Sequence, residues 1–489
     1  MREKRSQFLP DLTDKQINYV AEKVFSIITN SKSQNSPQLN TKPIRDVSDQ
    51  GIFNSIDEAV NAATIAHKQL INMPLSSREK IIVSIRKTML DNVQLLSEEA
   101  VAETGLGRVE DKVLKNKLVS EKTPGTEDLF PTARSGDRGL SLFEQASYGV
   151  IGAITPVTNP TSTIICNTIG MVAAGNSVVF NVHPNAKKTS IKNISLINQA
   201  IIKAGGPTNL VTCIAEPTIE SAQQLMKHPG IRLLVVTGGG AVVKEAMNSG
   251  KRAICAGPGN PPIVVDETAD IQLAGREIVK GASFDNNIIC VDEKEIIAVN
   301  SIADDLIKAM ISNGAILLTQ DQLSQLEKII FEKINGPAQP AVVNKSLVGK
   351  NASVILSKIG ISVDDSVRLV VVEVNKNHPL LWTEQMMPVL PIVRVSDADE
   401  GINFAKLVEG GNYHTAVMYS RNIDNLSRMA REINTTIFVK NGPAYAGLGF
   451  GGEGHTSFTI ASPTGEGLTG PRSFSRERRC VLVDHFRIV

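Results

Sequence analysis

From residue 148 onward the apolar positions change rhythm repeatedly. The β-branched runs YGVIGAIT (148–155), SVVFNV (177–182), LVTCIA (210–215) and RLLVVTG (232–238) read as buried strands. Between them, Ser162–Ala174, Ser190–Ala204 and Glu220–Lys227 carry helical spacing, and Gly205-Gly206 stops the second of these. Repeated βαβ units predict a parallel sheet with helices on both faces and place any ligand at the carboxyl edge of the strands. A second α/β region runs from about residue 260 to 443, with strand-like runs at 263–266, 295–300, 368–374, 389–395, 415–420 and 435–440. Upstream, Ser55 to Glu103 is helical, with Ser55 and Ser76 or Ser77 at N-cap positions and Gly105 as a stop.

The two ends stand apart from this body. In residues 12–29, Ile17, Val20, Ala21, Val24 and Ile28 share one helical face, while Lys15, Gln16, Asn18, Glu22 and Lys23 take the other. A polar linker (30–44) follows. A helix on such a tether either docks onto a partner or folds back on its own core, and the residues leave both readings open. The terminal run CVLVDHFRIV (480–489) is an extended strand without a local partner, which predicts pairing with another subunit.

Composition removes several function classes. The 489 residues suffice for two or three domains, and 42% hydrophobic with 21% charged residues is ordinary for a globular protein. A net charge of +1 and 4% aromatic residues give no reason to expect a nucleic-acid partner. No apolar run approaches the roughly 20 residues that span a bilayer, and the N-terminus lacks the apolar core of a secretory signal. Five cysteines, at 166, 213, 255, 290 and 480, show no paired or metal-ligand spacing, as expected in a reducing cytoplasm. Seven histidines form no cluster, so a metal site is not expected.

Two stretches carry candidate chemistry. In GASFDNNIICVDEK (281–294), Cys290 lies on a small, polar loop entering a strand, where backbone N–H groups can face a developing oxyanion. A lone cysteine is equally a small core residue, and the loop alone leaves that open. Thr237-Gly238-Gly239-Gly240 joins a strand to a helix, either as a phosphate cradle or as a tight turn. Gly447–Gly452 matches G-x-G-x-x-G literally, but no helix follows it, so it is not a nucleotide fingerprint. Cys255 sits at a glycine-rich turn, and His414 on a loop entering a strand.

Taken together, ASYGVIGAITPVTNPTS (146–162), VVTGGGAVV (235–243), AGPGNPPIVVDETAD (256–270), the Cys290 loop, WTEQMMPVLPIVRV (382–395) and FVKNGPAYAGLGFGGEG (438–454) resemble the aldehyde dehydrogenase superfamily. More narrowly they resemble its CoA-acylating branch, whose members serve ethanolamine and propanediol utilisation. The resemblance covers nearly all of residues 45–489. It implies an α/β fold with a Rossmann-like cofactor domain (45–256, with an oligomerisation hairpin near 135–148), a catalytic α/β domain (257–450), and a return segment ending in an oligomerisation strand (451–489). It also implies oxidation of a short aldehyde, acetaldehyde or propionaldehyde, with NAD and CoA through a Cys290 thioester. Asn159 and the Cys290 N–H would hold the oxyanion. Thr155, Pro156, His183, Thr237, Gly238, Gly239 and Glu384 would bind the cofactor, with Glu384 on the nicotinamide ribose.

Two departures from hydrolytic relatives sharpen this. Those enzymes read E-L-G-G-K-S-P where this chain reads CAGPGNP (255–261), so Cys255 replaces the water-activating glutamate. A thioester without that base should wait for a better nucleophile, the CoA thiol, with His414 a candidate to position or deprotonate it. After the second strand, Asn181-Val182-His183-Pro184 offers no carboxylate against a 2′-phosphate, so NAD is expected and NADP is not excluded. Branch members in bacterial microcompartments carry an amphipathic encapsulation helix, which 12–29 resembles; a shell protein is the implied partner, and the assembly a dimer or tetramer. A hydrolytic dehydrogenase and a catalytically silent shell-associated protein are the competing readings.

Overall fold

The structure, a computed structural model, describes residues 50–489. The helix expected at 12–29 and the linker after it lie outside the described residues.

Six strands form the first sheet in the order Ile52–Phe53, Val211–Ile214, Ser177–Asn181, Val150–Ile154, Ile231–Thr237 and Ala253–Ala256, every neighbour parallel. Alternate side chains of its central strands feed two separate cores. Ile151, Ala153, Val178 and Phe180 enter one, while Val150, Ile154 and Val179 join Ala59, Val60 and Leu225 in the other. Burial on both faces is why these strands read as unbroken apolar runs. The chain leaves Val150–Ile154 for the strand on one side and returns later to the strand on its other side. Crevices form beyond the carboxyl ends of strands at such reversals.

The second sheet has seven strands, again all parallel: Ala315–Leu317, Leu369–Glu373, Val389–Val395, Glu295–Val299, Pro262–Val265, Thr415–Tyr419 and Ile437–Lys440. A third, antiparallel sheet joins the hairpin Thr132–Gly136 and Gly139–Ser147 to Ser475–Val483. This corrects the terminal run: Cys480 to Val483 pair with Leu142 back to Gly139 of the same chain, and the strand ends at Val483.

Helix ends follow the sequence in part. Ser55 accepts the Glu58 N–H at 3.3 Å, and Gly105 (φ 66) ends Val93–Thr104 in the left-handed conformation that glycine adopts freely. Neither Ser76 nor Ser77 caps the second helix, Leu75–Asp91, because Pro74 occupies the cap. Helix Val109–Lys122 escaped the apolar pattern for a plain reason. Its buried positions include Asp111, Lys112, Lys115 and Asn116.

Candidate active site

Cys290 stands on a strained, tightly tied loop. Helix Ile271–Ala282 ends, and three successive non-glycine residues then take positive φ: Asp285 (44°), Asn286 (56°) and Asn287 (66°). Such conformations persist where surrounding contacts over-determine them. Here the Asn286 amide donates to the Gly349 carbonyl (2.9 Å) and to Asn351 Oδ1 (2.8 Å). Buried Lys294 donates to Asn287 Oδ1 (2.7 Å) and to the Ile289 carbonyl (3.2 Å). Asp285, fully buried, accepts the Arg108 N–H (2.6 Å) and takes ion pairs from Lys112 (3.0 Å) and Lys115. Burial drives Lys112 down to about 8 even so. The charged residues Asp292, Glu293 and Lys294 that follow Cys290 are likewise wholly interior.

The thiol itself opens into a cavity of about 800 Å³. Its wall also carries Thr155, Pro156, Asn159, His183, Thr237, Gly238, Gly239 and Glu384, so nine of the ten residues singled out from sequence share one space. Burial, with Glu384 alongside, pushes the Cys290 thiol up to about 12. Glu384 is raised by burial too, while its Oε1 accepts the Gly259 N–H at 3.3 Å.

His414 is the exception. Its ring is fully buried and off the cavity wall, with Nδ1 bonded to Thr415 Oγ1 (2.9 Å) and Nε2 unpartnered. It packs against Gly259, where a Cβ would stand 3.0 Å from the ring and 2.7 Å from the Cys290 carbonyl oxygen. Burial, helped by Lys294, drives its imidazole down to about 4, so it is neutral at pH 7. Cys255 is corrected as well: it lies inside strand Ala253–Ala256, fully buried in an apolar cluster, not at a turn. Burial raises its thiol to about 11.

The cavity suits a dinucleotide. Helix Gly240–Met247 begins at Gly239 with no side-chain cap, leaving first-turn N–H groups free. A Cβ on Gly239 or Gly240 would meet nothing within 4 Å, so both backbones border open space. Thr155 Oγ1 and Thr163 Oγ1, on the same wall, are buried without a partner. Uncapped N–H groups at a helix start favour an anion such as a pyrophosphate.

The Gly447–Gly452 stretch opens no helix. The sequence singles out neither Lys112 nor Lys115, because a lysine on a helix ordinarily marks the solvent face, and it shows Asp285 and Lys294 only as polar and charged members of the Cys290 loop.

A doubly wound nucleotide-type sheet, joined to a second sheet whose preceding loop brings a thiol to the shared crevice, defines a cysteine-centred oxidoreductase architecture. The chain belongs to the aldehyde dehydrogenase family, whose model matches residues 29–468. It is 52% identical to the acetylating acetaldehyde dehydrogenase EutE of Salmonella typhimurium, over 92% of this chain and 96% of that protein. Among solved structures, it resembles the Rhodopseudomonas palustris propionaldehyde dehydrogenase with bound CoA and an acylated cysteine, with a TM-score of 0.87, 50% identity, and coverage of 89% of this chain and 98% of that one. It also resembles the propionaldehyde dehydrogenase of the Clostridium phytofermentans fucose-utilisation microcompartment, with a TM-score of 0.87, 47% identity, and coverage of 90% and 100%.

Proposed function

We propose that this protein oxidises a short aldehyde, acetaldehyde or propionaldehyde, with NAD⁺ and CoA to the acyl-CoA and NADH. The observation that carries the reading is that Cys290 and the uncapped helix start after Thr237-Gly238-Gly239 open into one cavity. Cys290 gives its proton to solvent, and its sulfur adds to the aldehyde carbon, whose carbonyl electron pair moves onto oxygen as the oxyanion. Asn159 Nδ2 and the Cys290 N–H hold the oxyanion while the thiohemiacetal forms. Thr155, Pro156, His183, Thr237, Gly238, Gly239 and Glu384 hold the nicotinamide dinucleotide, which supplies the two-electron acceptor for the hydride. The carbon left on sulfur is a thioester.

What consumes the thioester follows from Cys255. The position that carries a base in hydrolytic enzymes holds a buried, protonated thiol in an apolar cluster, off the cavity wall. Water therefore lacks that base, and the CoA thiol takes the acyl group instead. His414, neutral and one residue layer behind Cys290, supports the loop through Gly259 in the free enzyme; contact with the CoA thiol requires that layer to open.

NADH formation from acetaldehyde and NAD⁺, with and without CoA, tests the reading. Sustained turnover is expected only with CoA and is abolished in Cys290→Ala. Equal turnover without CoA would mean that another group activates water.

The chain also assembles with itself through the outer three-stranded sheet, and residues 12–29 dock onto a microcompartment shell protein. The likeness of 12–29 to encapsulation helices and the microcompartment source of a close structural relative support the second statement. Residues 1–29 fused to a fluorescent protein should concentrate it inside microcompartments; diffuse fluorescence would sink that assignment.

A further inference from the structure

An amide side chain has two faces of opposite sign, and only its nitrogen can stabilise an oxyanion. Asn159 occupies the N-cap of helix Pro160–Ala173, where asparagine ordinarily turns its oxygen onto a first-turn N–H. No such cap bond forms here. Lys115 Nζ donates to Asn159 Oδ1 at 2.5 Å instead. Asn159 Nδ2 is left facing the Cys290 loop, where it donates to the Ile288 carbonyl at 3.3 Å.

We propose that Lys115 is a positioning residue, which holds Asn159 Oδ1 so that the amide nitrogen faces the reacting carbonyl oxygen. The proposal rests on the reading of Cys290 and Asn159 given above. An ammonium has donors and no acceptor, so it tolerates the amide oxygen and repels the flipped amide. Lys115 is itself fixed, because Asp285 pairs with it from the turn that leads to Cys290. One carboxylate thus ties the amide donor and the nucleophile's loop into a single unit. Both lysine and aspartate are buried, so the orientation is set before any substrate arrives.

The charge balance makes the test practicable. Lys112 also pairs with Asp285, at 3.0 Å, so removing Lys115 leaves a one-to-one pair instead of a lone buried charge. Lys115→Met is expected to fold and to lower kcat by about tenfold or more, with KM changed less than about threefold; losing an oxyanion donor outright costs about 10²–10³ in kcat. Lys115→Gln keeps one N–H for Oδ1 and should recover most of that loss. The decisive arm is a double-mutant cycle: in an Asn159→Ala background, Lys115→Met should change kcat less than about twofold. Equal losses in both backgrounds would mean a general structural role and overturn the proposal, as would full activity in Lys115→Met. Should Lys115→Met not fold, Lys115→Thr, too short to reach Oδ1, takes its place in the cycle. An Asn159→Ala enzyme with undiminished kcat would overturn the oxyanion assignment itself, a result distinct from failure of Lys115 alone.

Discussion

At the scale of the residue, the site is built from groups held away from their ordinary ionisation. Cys290 is the plainest case. Half-buried beside Glu384 and poorly solvated, its thiol is pushed up to about 12, so the free enzyme at neutral pH carries a resting thiol and not a thiolate. Below that value the protonated form dominates, and the thiolate fraction grows tenfold for each pH unit. Alkylation of Cys290 by iodoacetamide in the cofactor-free enzyme, followed on its own peptide by mass spectrometry, should therefore rise about tenfold per unit from pH 7 to 9. A plateau near pH 7 or 8 would mean that the loop stabilises the thiolate.

At the scale of the element, most of what was legible in the sequence is backbone. The strand Val389–Val395 coincides with its apolar run, and Val150–Ile154 and Ser177–Asn181 fall within theirs, because two-sided burial writes itself as consecutive β-branched residues. Short or edge strands did not show: Ile52–Phe53 and Ala315–Leu317 are too brief to have a period, and Cys255's strand was hidden by the glycines and prolines after it. The site was legible as far as its motif residues, Cys290 and Thr237-Gly238-Gly239 among them. Its support was not. Lys115 and Asp285 lie 170 positions apart, and nothing local to either announces that they meet in the interior. A lysine on a helix and an aspartate in a polar loop both read as solvated, and only the tertiary fold reverses that. His414 is the converse case, a loop residue read as a candidate partner of the CoA thiol that ends up behind Gly259, off the cavity wall.

At the scale of the whole molecule, the outer sheet stands apart from the two parallel ones. Strand Ser475–Val483 is exposed along nearly its whole length, with Val481 53% and Val483 62% accessible. Apolar side chains left open on an ordered strand fit the subunit contact proposed above. Val481→Asp with Val483→Asp should lower the assembly state in analytical ultracentrifugation while leaving the far-ultraviolet dichroism unchanged. An unchanged sedimentation coefficient would place the subunit contact elsewhere.

The same strand fixes an order in time. Its partner Gly139–Ser147 emerges from the ribosome more than three hundred residues before Ser475–Val483 does. Until Ser475–Val483 has emerged, the hairpin has an open edge and the outer sheet is unfinished. The dehydrogenase body, whose strands lie upstream, can close first. Completion of the outer sheet thus becomes a late event in synthesis, set by a strand that the chain supplies only after its two parallel sheets.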